Sequence, residues 1–80
     1  MVPLITIYTL PDCVYCVKAK WYLKTFLPLY NIEEHLLTPA LKIYLEDLYS
    51  CTVSTAPQIV IDGVYIGGYV NLVKWIDDIE

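Results

Sequence analysis

Asp62-Gly63 stands between two short runs of β-branched and aromatic residues, Gln58-Ile59-Val60-Ile61 and Val64-Tyr65-Ile66. A two-residue type I′ turn needs positive φ at both central positions, and Asp-Gly meets that need at little steric cost, so the pair predicts a tight antiparallel hairpin. An isolated hairpin is marginal in water and must find further strands. One is available near the start of the chain. Leu4-Ile5-Thr6-Ile7-Tyr8-Thr9, bounded by Pro3 and Pro11, is apolar nearly throughout, as a strand covered on both faces should be.

Between these strands the apolar period lengthens. From Cys13 to about Leu27, residues Cys16, Ala19, Leu23 and Phe26 fall three or four apart, Lys18 and Lys24 project elsewhere, and Pro28 ends the segment, which predicts a helix. Leu29 to His35 reads as a short, weaker strand. Thr38-Pro39 then supplies an N-cap with Pro at the first helical position. The helix behind it carries a predicted apolar stripe of Leu41, Tyr44, Leu45 and Leu48, with Glu46 and Asp47 on or beside the opposite face. Ser50 to Ala56 is irregular and polar. After Gly67-Gly68, Asn71 reads as the N-cap of a last helix whose apolar positions are Leu72, Trp75, Ile76 and Ile79. Trp21 and Trp75 lie within helical patterns and are expected in core or helix-face packing, whereas Tyr15, Tyr69 and Tyr8 are expected to flank a site.

The order β-α-β-α-β-β-α sets a right-handed parallel β-α-β unit beside an antiparallel hairpin, an α/β architecture with a four-stranded mixed sheet flanked by three helices. Eighty residues suffice for one domain, 1–80, and not for two. With 58% hydrophobic and 18% charged residues, disorder is excluded. No apolar run approaches the roughly 18 residues of a spanning helix, so a soluble chain with no membrane partner is expected. Met1 to Leu10 lacks a basic flank and a small-residue cleavage site, and is kept as part of the fold. The net charge of −4, with five lysines in no basic cluster, argues against nucleic acid as a partner. Three cysteines are too few for a multiply bridged secreted scaffold, and their odd number leaves one unpaired. A reducing compartment, the cytoplasm, is expected.

Cys13-Val14-Tyr15-Cys16 falls directly after a predicted strand and at the start of a helix, the context in which C-x-x-C reads as a redox motif. Unpaired backbone N–H groups and the positive end of the helix dipole stabilise a thiolate there. The Cys13 thiol is therefore expected to ionise below the reference of about 8.5 and to be the nucleophile. Cys16 lies one turn along, on the apolar stripe, and is expected to be the more buried, resolving thiol that closes a redox-active Cys13–Cys16 disulfide. The competing reading is a metal module: zinc with His35 and Cys51 completing the set, or an iron–sulfur cluster. The candidate zinc ligands beyond the C-x-x-C are single residues near the ends of other elements, and not a second knuckle. No metal is expected. Cys51 and His35 taken singly read as an inert thiol and a solvated loop residue.

Thr55-Ala56-Pro57 precedes the hairpin. A Pro at a strand start suits a cis turn and leaves the preceding backbone free to pair with an extended ligand. With these residues in place the chain resembles a small dithiol glutaredoxin of the thioredoxin-like superfamily. The likeness runs through Tyr8-Thr9, Cys13-Val14-Tyr15-Cys16 followed by Ala19-Lys20, Thr55-Ala56-Pro57-Gln58-Ile59-Val60-Ile61, and Ile66-Gly67-Gly68-Tyr69. The resemblance implies a thioredoxin-like fold and a monomeric enzyme, a glutathione-dependent thiol–disulfide oxidoreductase with no bound cofactor. It acts on protein disulfides, ribonucleotide reductase among them, and on glutathione mixed disulfides. By the same resemblance Tyr15 flanks the glutathione, Thr55 and Ala56 lie against its cysteinyl backbone before cis-Pro57, Gly68 and Tyr69 border it, and Val70 and Asn71 receive its γ-glutamyl end.

The chain also departs from that pattern. Leu10 stands where many family members carry a Lys that pairs with a glutathione carboxylate, and Asn71 where Asp is common. A neutral hydrogen bond is roughly half as strong as a charge-assisted one, so weaker glutathione binding is expected. Val14 replaces the usual Pro, and Asp12 sets a carboxylate beside Cys13, which disfavours ionisation and predicts a less depressed thiol pKa. These changes leave room for a neighbouring reading, a redoxin reduced by a flavoprotein reductase.

Overall fold

The computed structural model describes residues 3–79. Met1 and Val2 of the first apolar run, and Glu80 of the acidic end Asp77-Asp78-Ile79-Glu80, lie outside them. Its elements are β1 (Leu4–Thr9), α1 (Val14–Phe26), β2 (Asn31–Leu36), α2 (Pro39–Tyr49), β3 (Gln58–Ile61), β4 (Val64–Gly67) and α3 (Tyr69–Ile79). The sheet order is β2-β1-β3-β4, with β1 parallel to β2 and antiparallel to β3, and β3 antiparallel to β4. This is the mixed sheet and the thioredoxin-like element order that the sequence predicts.

The two-residue period of the strands divides the core into two layers. Ile5 and Ile7 of β1 and Ile59 and Ile61 of β3 point to one face, where Ala19, Leu23 and Leu27 and the α3 residues Leu72 and Ile76 cover them. Burying each of the larger aliphatic side chains stabilises the fold by roughly 1.5–3 kcal/mol. The opposite face is thinner. Tyr8 and Val60 meet Leu45 and Val53 there, and Leu41, Tyr49, Cys51 and Tyr65 pack around them.

Asp62 and Gly63 both take positive φ, 49° and 82°, as a type I′ turn requires. Asp62 has a second task. Its Oδ1 accepts from Leu4 N at 2.8 Å while its own N–H donates to Leu4 O at 2.9 Å, pinning the hairpin to the start of β1. The edge strand β2 is exposed and charged, with Glu33, Glu34 and His35 along it, which blunts pairing with other chains.

Three of these expectations are corrected. On α2 the row turned to the sheet is Leu41, Leu45 and Tyr49, Leu45 fully buried and the other two partly so, while Tyr44 and Leu48 are exposed: residues spaced by four stay in line on a face that only one row of the helix touches. On α1 the buried row ends at Leu27, and Phe26 is part-exposed beside Tyr22. The tryptophans are where they are expected: Trp21, 62% exposed, packs edge-on against Tyr22 and Phe26 on the helix face, and Trp75 packs partly buried against the α1–α3 layer. Asn71 is not an N-cap. The last helix begins at Tyr69, Leu72 N donates to Gly68 O at 3.0 Å, and Asn71 in the first turn reaches back so that its Oδ1 accepts from Gly68 N at 3.2 Å. That is the returning half of a capping box, made by an amide.

Candidate active site

The site is built on the turn that follows β1. Pro11 and Asp12 reverse the chain, Asp12 in a left-handed conformation with φ 56°, which Asp tolerates better than most residues. Cys13 follows as the N-cap of α1, with φ −101° and ψ 105°. An N-cap side chain usually offers an oxygen to the third helical N–H. Here it offers sulfur: Cys16 N donates to Cys13 Sγ at 3.1 Å. The same N–H stabilises a negative sulfur once Cys13 is reduced, in addition to the dipole of the helix. Cys13 and Cys16 form a disulfide, with Cα atoms 5.2 Å apart. Cys16 is 3% exposed and Cys13 is half-buried, the asymmetry that attack and resolution require.

Across from this helix terminus runs the Thr55-Ala56-Pro57 segment, and the Ala56-Pro57 bond is cis. Cys13 Sγ lies 3.6 Å from the Ala56 carbonyl oxygen, so the proline turn and the sulfur share one surface. Gln58, only 3% exposed, holds the segment from behind. Its Nε2 donates to Thr55 O at 2.8 Å, and its Oε1 accepts a short hydrogen bond from the Tyr65 hydroxyl. Burial, with the Cys51 thiol beside it, pushes the Tyr65 hydroxyl up to about 12, so it stays a donor. Gln58 was legible only as a strand residue in the sequence. The cue available there was a lone amide in an apolar strand right after the proline, since a buried amide needs partners.

Two clefts open on either side of the α1 terminus. One, of about 300 Å³, is lined by Tyr15, Thr55, Ala56, Pro57, Gly68, Tyr69, Val70 and Asn71, the same eight residues that the resemblance assigns to glutathione. Tyr15 and Tyr69 form its aromatic wall with ring centroids 5.6 Å apart, and Lys18 Nζ lies 5.2 Å above the Tyr15 ring. At its far end the first turn of α3 presents backbone N–H groups that have no partner inside the helix, a ready seat for a carboxylate. Gly67 sits behind with φ 114°, and a Cβ there would come within 2.9 Å of Asn71 Oδ1.

The other cleft, of about 580 Å³, is lined by Thr9, Leu10, Asp12, Cys13, Val14, Cys16, Val17, Lys20 and Glu34. At its edge the Thr9 hydroxyl donates to Glu34 at 2.8 Å and Lys20 donates to both carboxylate oxygens at 3.2 and 3.3 Å, which together hold the Glu34 carboxyl below its usual value. Tyr8 is not at the site. It is buried under α2, where burial first and then Tyr44, Tyr49 and Glu33 raise its hydroxyl pKa. A cavity of about 870 Å³ lies there too, between Tyr8, Tyr44, Tyr49 and the hairpin turn, with no cysteine in its lining.

Cys51 belongs to the thin layer under α2, its Sγ 3.8 Å from Leu45 O. His35 stacks on Tyr8 and faces Glu33 at 3.7 Å. Among the described residues no group of three or more His, Cys, Asp or Glu is placed to hold a metal ion, and no helix is long and apolar enough to cross a membrane.

Comparison with known proteins agrees with this geometry. Glutaredoxin 1 from Francisella tularensis, solved in complex with cacodylate, is 33% identical and superposes with a TM-score of 0.75, covering 96% of this chain and 95% of that one. A glutaredoxin from Brucella melitensis is 32% identical over 92% of this chain and 78% of its own, with a TM-score of 0.66. Reduced Escherichia coli glutaredoxin is 27% identical, at a TM-score of 0.72 over 94% of each chain. No curated protein matches. The family model for glutaredoxins matches residues 5–66, from β1 through the C-x-x-C and the cis-proline to β4, and the chain therefore belongs to the glutaredoxin family of thiol–disulfide oxidoreductases.

Proposed function

We propose that this oxidoreductase draws its electrons from glutathione, bound in the Tyr15–Asn71 groove. The observation that carries this reading is the gathering of Tyr15, Thr55, Ala56, Pro57, Gly68, Tyr69, Val70 and Asn71 into one groove, joined to Cys13 through the Ala56 carbonyl. A tripeptide thiol lying against Thr55 and Ala56 brings its sulfur towards Cys13. Its γ-glutamyl carboxylate reaches the backbone N–H groups of Val70 and Asn71, where the dipole of α3 favours it.

In the reducing direction the Cys13 thiolate attacks one sulfur of a substrate disulfide, that S–S bond breaks, and the departing thiolate takes a proton. Cys16 loses its proton and attacks Cys13 Sγ, releasing the second substrate thiol and closing the Cys13–Cys16 disulfide. One glutathione thiolate then opens that disulfide at Cys13. A second removes the first as glutathione disulfide, so two glutathione molecules are oxidised for each substrate disulfide reduced. Glutathione mixed disulfides need only the Cys13 half of this cycle. We infer a monomer working in the reducing cytoplasm on protein disulfides, ribonucleotide reductase among the candidates.

Initial rate against glutathione concentration in a mixed-disulfide assay, coupled to glutathione reductase, tests the reading. Saturable turnover is expected. Turnover that requires thioredoxin reductase, with no dependence on glutathione, assigns the protein to the flavoprotein-reduced redoxins, an outcome to which exposed Leu10 and the engaged Asn71 side chain point.

A further inference from the structure

Helix α1 carries two unlike faces. Cys16, Ala19 and Leu23 are buried, while on the opposite side Val14, Val17 and Trp21, three and four residues apart, are 65%, 64% and 62% exposed. Three large apolar side chains in a continuous row starting beside Cys13 are more than scattered surface residues. Trp21 makes edge-on contacts with Tyr22 and Phe26 that brace the ring without covering it. Tryptophan is among the side chains enriched as interface anchors.

Charge sets what such a face can meet. Helix α1 bears Lys18, Lys20 and Lys24 and no carboxylate, whereas the rest of the chain has two lysines against nine Asp and Glu. Lys18 lies one turn from both Val14 and Trp21 on one flank of the row, and Lys24 one turn beyond Trp21 on the other. Lys20 is turned to Glu34. An acidic protein thus concentrates its positive charge along an apolar row that begins at the nucleophile.

We propose that this face docks protein substrates through an acidic, amphipathic segment next to their reactive disulfide, with apolar side chains on the Val14, Val17 and Trp21 row and carboxylates against Lys18 and Lys24. The inference rests on the oxidoreductase reading and adds a partner class to it. Complementary charge at such a rim acts chiefly on encounter and selection, so its effect is greatest at low salt.

The test uses glutathionylated peptides of one apolar pattern, flanked either by Glu or by Lys, alongside glutathionylated free cysteine as a substrate without a docking segment. The expected result is that kcat/KM favours the Glu peptide over the Lys peptide and that the preference shrinks with added salt. Trp21→Glu and Lys24→Glu should each lower kcat/KM for the Glu peptide, by roughly tenfold for Trp21→Glu, and leave the free-cysteine substrate unchanged. Equal rates on the two peptides, or variants that leave the preference intact, overturn the docking inference while the oxidoreductase reading stands. Failure on all three substrates overturns the reading itself. Self-association of the wild type that Trp21→Glu abolishes would give the face to a second copy of this chain and overturn the proposed occupant.

Discussion

The Gln58 side-chain amide donates to the Thr55 carbonyl at 2.8 Å, so a buried residue of the central sheet fixes the loop that carries the substrate-side backbone. Gln58→Met keeps the volume and removes both polar partners. The Tyr65 hydroxyl and Thr55 carbonyl then lose their bonds, at a cost of about 1–3 kcal/mol for unsatisfied groups. Chemical denaturation should show that loss. In the mixed-disulfide assay the variant should raise the KM for glutathione more than it lowers kcat, because the loop positions the groove and does not take part in exchange.

The cysteines should divide their roles by burial. Cys13→Ser is expected to abolish exchange, by at least roughly a thousandfold, since the other cysteine lining these clefts, Cys16, is only 3% exposed and out of reach of a substrate disulfide. Cys16→Ser should retain reduction of glutathione mixed disulfides and lose two-thiol reduction of proteins. Mass spectrometry of the Cys16→Ser protein should trap the adduct on Cys13. Exchange surviving in Cys13→Ser would move the nucleophile elsewhere.

Gly67→Ala probes the support behind the groove. At φ 114° an L-residue is strained by about 1–3 kcal/mol, and the new methyl meets Asn71 Oδ1 at 2.9 Å. The Asn71 side chain must leave Gly68 N, opening the first turn of α3. A lower Tm together with a raised glutathione KM is expected; a normal KM would show that the Asn71–Gly68 bond has no part in binding.

Glu34 links the fold to pH. Its folded pKa is lowered by the Thr9 hydroxyl first and by Lys20 next, so its contribution is present above the unfolded carboxyl value and is lost as pH falls through the lower folded one. Its carboxylate is partly exposed, and salt and solvent weaken the effect. Unfolding midpoints measured through the acid range should fall less steeply for Glu34→Gln than for the wild type. At neutral pH that variant should be modestly less stable, with the buried Thr9 hydroxyl left a weaker acceptor.

Much of the fold was legible because its signals are local. Asp62-Gly63 admits one kind of turn, Thr38-Pro39 one kind of helix start, and a run such as Leu4 to Thr9 one kind of strand. The helix ends and faces were less so. Asn71 suits an N-cap by residue type, but whether it caps or reaches back depends on where the Gly67-Gly68 backbone turns. Tyr44 and Tyr49 are equally eligible for the buried row of α2, and only contact with the sheet selects Tyr49.

The site divides in the same way. The sequence by itself determined the chemistry of Cys13-Val14-Tyr15-Cys16, because a C-x-x-C at a strand-to-helix junction puts a thiol against unpaired amides whatever surrounds it. Only the tertiary structure decided what that sulfur faces. Thr55 to Pro57 and Gly68 to Asn71 are distant from Cys13 along the chain, and they meet it because β1 and β3 pair side by side in the sheet. Gln58 is an anchor, and Trp21 a bare ring beside the lysines of α1, for the same physical reason. Burial and hydrogen-bond partners belong to the packed arrangement of elements, and no local pattern contains them.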